Sequence, residues 1–275
     1  MLLDGKTASL DIKQQLKEQF DNLSCKATLA VIFFNDPSSM SYLKGRKKIA
    51  DEMGVDLQVI SIEDDVDEDK LESIIKDLND DNNIDGIMVD RPLPKRFNEV
   101  KILSLINPNK DIDGCSYNNL GKLVANVDCF KPCTPSGALR LLEYYNIDVY
   151  GKDVLVIGRS VNVGKPLALM LTNKNATVTL AHSKTKDLKQ KCKNYDVIFL
   201  AVGKAKFINK DDVNKNTIIV DIGINFDNDG KLCGDLDKES YDYLDTYSPV
   251  PGGVGVMTNV VLMENLLKAA KNNNK

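Results

Sequence analysis

The chain has a single histidine, His182, and its six cysteines, at 25, 115, 129, 133, 192 and 233, include no CxxC pair. A zinc-type site needs clustered nitrogen and sulfur ligands, so no metal is expected. Scattered cysteines in a chain of 275 residues read as reduced thiols of a cytoplasmic protein. Positive charge is not in excess. Lys and Arg number 36 against 40 Asp and Glu, a net charge of −4, which excludes nucleic acid or an anionic membrane as the main partner. No apolar run reaches the roughly 20 residues of a membrane span. The first residues, MLLDGKTASLDIK, lack a basic stretch followed by an apolar one, so no secretory signal is expected. There is no short repeat and no low-complexity tract.

What remains is 43% hydrophobic and 28% charged, enough for a sizeable core in one large or two ordinary domains. The most informative stretch is KDVLVIGRSVNVGKP at 152–166. Residues 154–157 read as a buried parallel strand. Gly158 ends it, and Pro166 suits the first turn of a following helix. A strand, a glycine turn and a helix N-terminus make an anion site, the pyrophosphate of a dinucleotide being the natural ligand. The G-x-G-x-x-G fingerprint is imperfect: its places fall on Gly158, Ser160 and Val163, with Gly164 one residue late. A plain βα turn would read the same way.

Strands and helices alternate along the chain, which implies parallel sheets. Helices are expected at 7–22, 36–53 and 67–81, and strands at 28–35, 57–62 and 85–89. A boundary falls at 130–135, where two prolines bracket a turn, followed by a helix at 136–145. Strands at 153–157, 177–181, 196–201 and 217–222 then build a doubly wound nucleotide-binding fold. Their carboxyl ends carry Gly158-Arg159-Ser160, His182-Ser183, Gly203 and Ile224, where such sheets bind ligands. Residues 248–255, SPVPGGVG, are too rich in proline and glycine for regular structure. A last helix is expected at 258–270, with a frayed KNNNK tail.

An NAD site places a carboxylate at the end of the second strand, on the ribose 2′-hydroxyl. Here that place is His182-Ser183-Lys184, with Arg159 opposite. An arginine with a hydroxyl and a basic neighbour suits a 2′-phosphate, so NADP is expected, with NAD the alternative. His182 reads equally as a plain loop residue. In the first half, Tyr42 and Arg46 are four apart and share a helix face, able to hold an anionic or carbonyl-bearing ring. The competing account is a solvated basic face. Asp111 and Asp113 share one side if that segment is extended, or cap backbone N–H groups in a turn.

Ten pieces carry a resemblance. They are DGK at 4–6, SYLKGRKKIADEMGV at 41–55, DGIMVDRPLP at 85–94, NPNKDIDG at 107–114 and KPCTPSG at 131–137. The others are GKDVLVIGRSVNVGKP at 151–166, ATVTLAHSKT at 176–185, AVGK at 201–204, VDIGIN at 220–225 and PVPGGVGVMT at 249–258. Together they resemble the methylenetetrahydrofolate dehydrogenase/methenyltetrahydrofolate cyclohydrolase family, in family order and over nearly the whole chain. The resemblance implies a two-domain α/β fold. Its catalytic domain would span 1–133, with 256–275 returning to it as a C-terminal helix, and a Rossmann-like NAD(P)-binding domain would span 134–255. It implies a homodimer acting on one-carbon derivatives of tetrahydrofolate. Methylenetetrahydrofolate would be oxidised with NADP and the methenyl product hydrolysed to 10-formyltetrahydrofolate. By position, Tyr42 matches a tyrosine lining the pterin site and Asp113 an aspartate bonding the pterin ring. Pro251, Gly252 and Gly253 fall in the loop over folate. Gly158, Arg159, Ser160, Ser183 and Ile224 match cofactor contacts.

Three positions depart. Arg46 stands where the family has a catalytic lysine, Asp90-Arg91 where it has Gln-Leu, and Val256-Met257-Thr258 where it has Pro-Met-Thr. Arg46 and Asp90 read as an ion pair replacing the family's lysine and glutamine in the catalytic site. Arginine stays protonated at any working pH, so dehydrogenase activity is expected to survive and hydrolysis to be weak or absent. The rivals are a fully bifunctional enzyme in which Lys44 or Lys47 substitutes, and a folate- or nucleotide-binding protein without turnover. A dehydrogenase of another substrate is a looser alternative. The run 44–48 would suit polyglutamate tails, a solvated face being the simpler account.

Overall fold

The computed structural model describes residues 1–34, 37–227 and 229–273, without the side chains of 37–39, 41 and 42. The expected helix start at Asp36 therefore lies outside the described residues. The chain divides into two compact units, one of residues 12–133 with 262–275, the other of 1–11 with 134–261.

The first unit is a three-stranded parallel sheet, dressed with helices. Helix α1 (Gly5–Asp21) leads into β1 (Thr28–Phe34), every residue of which is buried, as a central strand requires. Then follow α2 (Pro37–Met53), β2 (Asp56–Ile62), α3 (Glu68–Asp80) and β3 (Gly86–Val89). The order is β2-β1-β3, all parallel. The edge strand β2 alternates toward exposure, whereas β3 is buried throughout. One face is closed by Leu71 and Ile75 of α3 and by Ile102 of α4 (Glu99–Leu105), packed on Ile32, Ile87 and Val89. Helix α4 and α5 (Tyr117–Val124) are short helices that no sequence pattern announced; each is set by a cap, Asn98 accepting from the Lys101 N–H and Ser116 from that of Asn119. Lys110 Nζ donates to the carbonyls of Leu78, Asn79 and Asp81, closing the end of α3.

The second unit begins at α6 (Cys133–Tyr144). The expected turn at 130–135 is corrected here, because Pro135 sits in the first turn of α6, where its missing N–H costs no hydrogen bond. Next come β4 (Asp153–Ile157), α7 (Gly164–Asn173), β5 (Thr177–Ala181), α8 (Leu188–Lys191), β6 (Val197–Leu200) and β7 (Ile218–Asp221). A two-strand antiparallel ribbon, β8 (Asn225–Phe226) with β9 (Leu232–Cys233), precedes β10 (Thr246–Tyr247). The five-stranded sheet runs β10-β7-β6-β4-β5, all parallel. Leu2 pairs with Tyr247 along β10, so the first residues extend this edge. The core comprises Leu155, Ile157, Ile198, Leu200 and Ile219.

The final helix, α9 (Val254–Asn272), is longer at both ends than its pattern suggested. The expected irregular stretch thus stops at Gly253, and the tail is helical as far as Asn272. From residue 262 onward α9 belongs to the three-stranded unit. There Asn265 Nδ2 donates to the Ile112 carbonyl at 2.8 Å and Lys271 Nζ to Gln19 Oε1 at 2.9 Å. This is the returning C-terminal helix. No helix among the described residues is long and apolar enough to cross a membrane.

Candidate functional site

The candidate residues of the three-stranded unit gather at the carboxyl end of β3. The Asp90 N–H donates to the Ile32 carbonyl of β1 at 2.9 Å, so the sheet itself fixes where Asp90 and Arg91 emerge. Arg46 comes from α2. It is buried, while its neighbours Lys44, Lys47 and Lys48 are exposed. The basic run is therefore a solvated face with one guanidinium turned inward. Arg46 Nη1 donates to Asp90 Oδ1 at 2.7 Å, the ion pair expected from the paired departures. Tyr42 lies in α2, and its side chain is outside the described ones.

Asp111 and Asp113 do not share one extended side. Asp111 bridges to Ile87 and then enters a turn whose Gly114 has φ +68°. Its carboxylate accepts from the N–H groups of Cys115 and Ser116 and from Asn119 Nδ2. Asp111 is thus the turn-capping residue, and burial raises its pKa. Asp113 faces elsewhere. Its Oδ2 accepts from Arg91 Nη2 at 2.5 Å, and the same Nη2 lies 3.2 Å from Cys115 Sγ. Burial works against the Arg91 charge, but the Asp113 carboxylate and Cys115 outweigh it and hold the guanidinium above its ordinary value. Burial, with Asp113 beside it, pushes the Cys115 thiol well up. Two buried polar atoms here have no hydrogen-bond partner among the described residues: Asp90 Oδ2 and Arg91 Nη1. A buried group without a partner is costly unless a ligand completes it. Three of the four expected catalytic residues, Arg46, Asp90 and Asp113, thus enter two ion pairs, Arg46–Asp90 and Arg91–Asp113, joined by the 90–91 peptide bond; the fourth, Tyr42, has its side chain outside the described ones. Arg91 and Cys115 were not singled out as site residues from sequence. The departure at 91 was visible, but nothing local says which carboxylate an arginine will meet.

The candidates of the five-stranded unit line the carboxyl rim of its sheet. Gly158 follows β4 with φ +129°, and its N–H donates to Ala181 at the end of β5. That bond keeps the turn carrying Arg159 and Ser160 level with the end of β5, where His182 and Ser183 follow. A Cβ on Gly158 would come within 2.2 Å of the Ala201 carbonyl, and one on Gly164 within 1.8 Å of the Gly158 carbonyl. Only glycine lets the turn pass so close to β6 and α7 approach the turn. Ser160 Oγ accepts from the Val163 and Gly164 N–H groups, and its carbonyl from Lys165, so the first donors of α7 are held within the turn. Arg159, Ser160 and Val161 remain exposed at the rim. His182 Nδ1 accepts from the Lys184 N–H at 3.1 Å, which fixes the ring against its own loop.

Gly203 and its neighbours are placed by Asp235, whose buried carboxylate accepts from the Val202, Gly203 and Lys204 N–H groups and from Asn225 Nδ2. Asp221, at the end of β7, in turn accepts from Gly223, Asp235 and Leu236. Burial lifts its carboxyl to about 7, Asp235 adding to the rise. These two aspartates order the loops that carry Gly203 and Ile224. Sequence reading missed both, because neither lies at a ligand-facing position. Ile224 is exposed. Pro251 is exposed and Gly252 has φ +105°, while a Cβ on Gly253 would meet the Pro249 carbonyl at 2.5 Å. A Cβ on Gly5 would meet the Gly253 carbonyl at 2.1 Å, so this loop packs directly on the start of α1.

This rim fits a dinucleotide. The switch point of the sheet lies between β4 and β6, where doubly wound folds bind nucleotides. The glycines allow close backbone approach, and no carboxylate stands at the end of β5. Among the described residues no cluster of three or more His, Cys, Asp and Glu is placed to hold a metal ion.

Compared with known families, residues 3–113 match the tetrahydrofolate dehydrogenase/cyclohydrolase catalytic domain and residues 132–274 its NAD(P)-binding domain. The chain is 42% identical to a bifunctional protein FolD of Agathobacter rectalis, over 98% of this chain and 99% of that one. Its structure is similar to that of a FolD methylenetetrahydrofolate dehydrogenase/cyclohydrolase from Campylobacter jejuni, with a TM-score of 0.97, 40% identity and 99% of each chain covered. It is also similar to a Trypanosoma brucei FolD complexed with NADP cofactor and an inhibitor, with a TM-score of 0.91, 28% identity and 99% and 97% covered.

Proposed function

Because the chain belongs to the tetrahydrofolate dehydrogenase/cyclohydrolase family, we propose that it is a bifunctional folate enzyme. It oxidises 5,10-methylenetetrahydrofolate to 5,10-methenyltetrahydrofolate with NADP and hydrolyses that product to 10-formyltetrahydrofolate. The observation that carries this reading is full-length likeness, through both domains, to proteins named as bifunctional. Asp113 accepts from ring N–H groups and orients the pterin, a carboxylate being able to take two donors at once. Arg46, held by Asp90, supplies a fixed positive charge. The turn of Gly158, Ser160, Val163 and Gly164 would lie against the pyrophosphate through the close approach its glycines allow, the Val163 and Gly164 N–H groups being held by Ser160, with Gly203 and Ile224 along the rim. Arg159, His182 and Ser183 would meet the ribose phosphate. NADP, when bound, would supply the hydride acceptor. Orienting the two reactants is the protein's contribution to that step.

A second reading, a dehydrogenase with slow or absent hydrolysis, is favoured by the Arg46–Asp90 pair. Water attack needs a proton to move. An arginine does not release one at working pH, and Lys44 and Lys47, the substitutes nearest in sequence, are exposed. One paired assay separates the readings. Methylenetetrahydrofolate is supplied with NADP, then with NAD, and the methenyl product is followed by absorbance. Cofactor reduction with decay of the product faster than the uncatalysed rate supports the bifunctional enzyme. Reduction without accelerated decay supports the second reading. Tight folate binding without reduction would leave a binding protein and overturn both. The same family reading makes the chain a cytoplasmic homodimer; light scattering at twice the 30.5 kDa chain mass is the expected result.

A further inference from the structure

We propose that Arg91 is a specificity-determining residue, which with Asp113 selects a 4-oxo over a 4-amino pteridine ring. This rests on the folate reading above and names a contact that reading does not need.

Three observations meet at this residue. Arg91 Nη2 is committed to Asp113 Oδ2 and lies near Cys115 Sγ. Arg91 Nη1 is buried and has no partner among the described residues. Asp113 accepts from Arg91 through Oδ2 and touches the Cys133 thiol, and a carboxylate has lone pairs left for a ligand N–H. The guanidinium is planar with its donors in a fixed fork. Nη1 and the Asp113 carboxylate therefore belong to one rigid ion pair, offering a donor and an acceptor. The 2-amino-4-oxo pteridine ring carries its complement, the N3–H beside the C4 oxygen. With N3–H on Asp113 and the C4 oxygen on Nη1, the ring completes the unpartnered donor without breaking the ion pair.

A 2,4-diamino ring cannot do this. Its neutral form sets a bare N3 against the carboxylate and an amino group against the guanidinium. Protonated at N1 it still gives N–H groups to Asp113, but it has no oxygen for Nη1. The opposite role for Arg91 is a plug that a ligand must evict. The buried ion pair argues against eviction, because it would strand Asp113 without a countercharge.

The test is isothermal titration of the full chain with folic acid and with its 4-amino-4-deoxy analogue, for wild type, Arg91→Met and Arg91→Lys. Wild type is expected to bind folic acid at least about tenfold more tightly than the analogue. Arg91→Met, which keeps the apolar stem, should weaken folic acid by about tenfold or more and bring the ratio near one. Arg91→Lys keeps the charge on Asp113 but loses the fork, and its ratio should fall between the two. If the Met variant does not fold, the Lys variant decides: an unchanged ratio overturns the proposal. Equal or tighter folic acid binding by Arg91→Met also overturns it, making Arg91 a plug. A wild type that reduces NADP with methylenetetrahydrofolate yet shows no ring preference sinks this inference alone. A wild type that binds neither ligand and shows no reduction sinks the folate reading with it.

Discussion

Arg46 and Asp90, 44 residues apart in sequence, meet through a 2.7 Å hydrogen bond with both side chains buried. Removing one partner strands the other charge, whereas removing both does not. Arg46→Met and Asp90→Leu are each expected to lower stability by about 3–5 kcal/mol, and the double variant by clearly less than their sum. Denaturant unfolding of the four proteins checks this. Additive losses would mean the two side chains do not depend on each other.

Arg159 stands exposed beside the end of β5, where no carboxylate waits for a ribose hydroxyl. Arg159→Leu should weaken NADP by roughly tenfold or more while leaving NAD within about threefold, since only the former offers a phosphate to a guanidinium. Fluorescence titration with the two nucleotides reads the ratio directly.

Gly164→Ala places a methyl 1.8 Å from the Gly158 carbonyl, a clash with backbone rather than with a side chain that can turn away. Helix α7 must retreat from the β4 turn. Loss of nucleotide binding is expected, with a stability cost of about 1–3 kcal/mol. Gly230→Ala is a useful contrast: φ is +73° there, but no atom of the described residues lies within 4 Å of the added Cβ. It should cost only about 1 kcal/mol, as strain alone, and spare nucleotide binding.

Asp221 keeps its proton in the folded chain up to about pH 7, because burial disfavours its charge, but releases it near its ordinary 3.8 when unfolded. Between those values the native state holds the extra proton. The stability this group contributes is therefore full below about pH 4 and is lost as the pH rises through 7. On the order of 2–4 kcal/mol is at stake. Asp221→Asn should show a flatter stability curve between pH 5 and pH 8 than wild type in guanidinium unfolding. Parallel curves would show that Asp221 does not titrate in that range.

The strands were legible because their composition leaves little choice. TLAVIFF in β1 and VIFL in β6 are buried on both faces and read so directly. The short helices α4 and α5 were not, since seven or eight residues give barely two turns of periodicity and their caps are single side chains. Strand β10 has two residues and exists only because Ile218 and Ile219 lie beside it. Site residues divide in the same way. Gly158 and Gly164 declared themselves by type and spacing. Asp221 and Asp235 look like loop acids until their accepted N–H groups are seen.

By itself the sequence determined the alternation of strands and helices, the glycine turn that opens α7, the family, and the replacement of a lysine and a glutamine by Arg46 and Asp90. These are matters of residue type and local order, which the chain carries whatever its final shape. Only the tertiary structure decided that Asp111 caps a turn while Asp113 meets Arg91, and that Arg46 alone of its basic run turns inward. Only it left Arg91 Nη1 buried without a partner among the described residues. A charge chooses its counter-ion by proximity in space, and proximity between β3, α2 and the 111–115 turn comes from the packing of the sheet, not from any spacing along the chain.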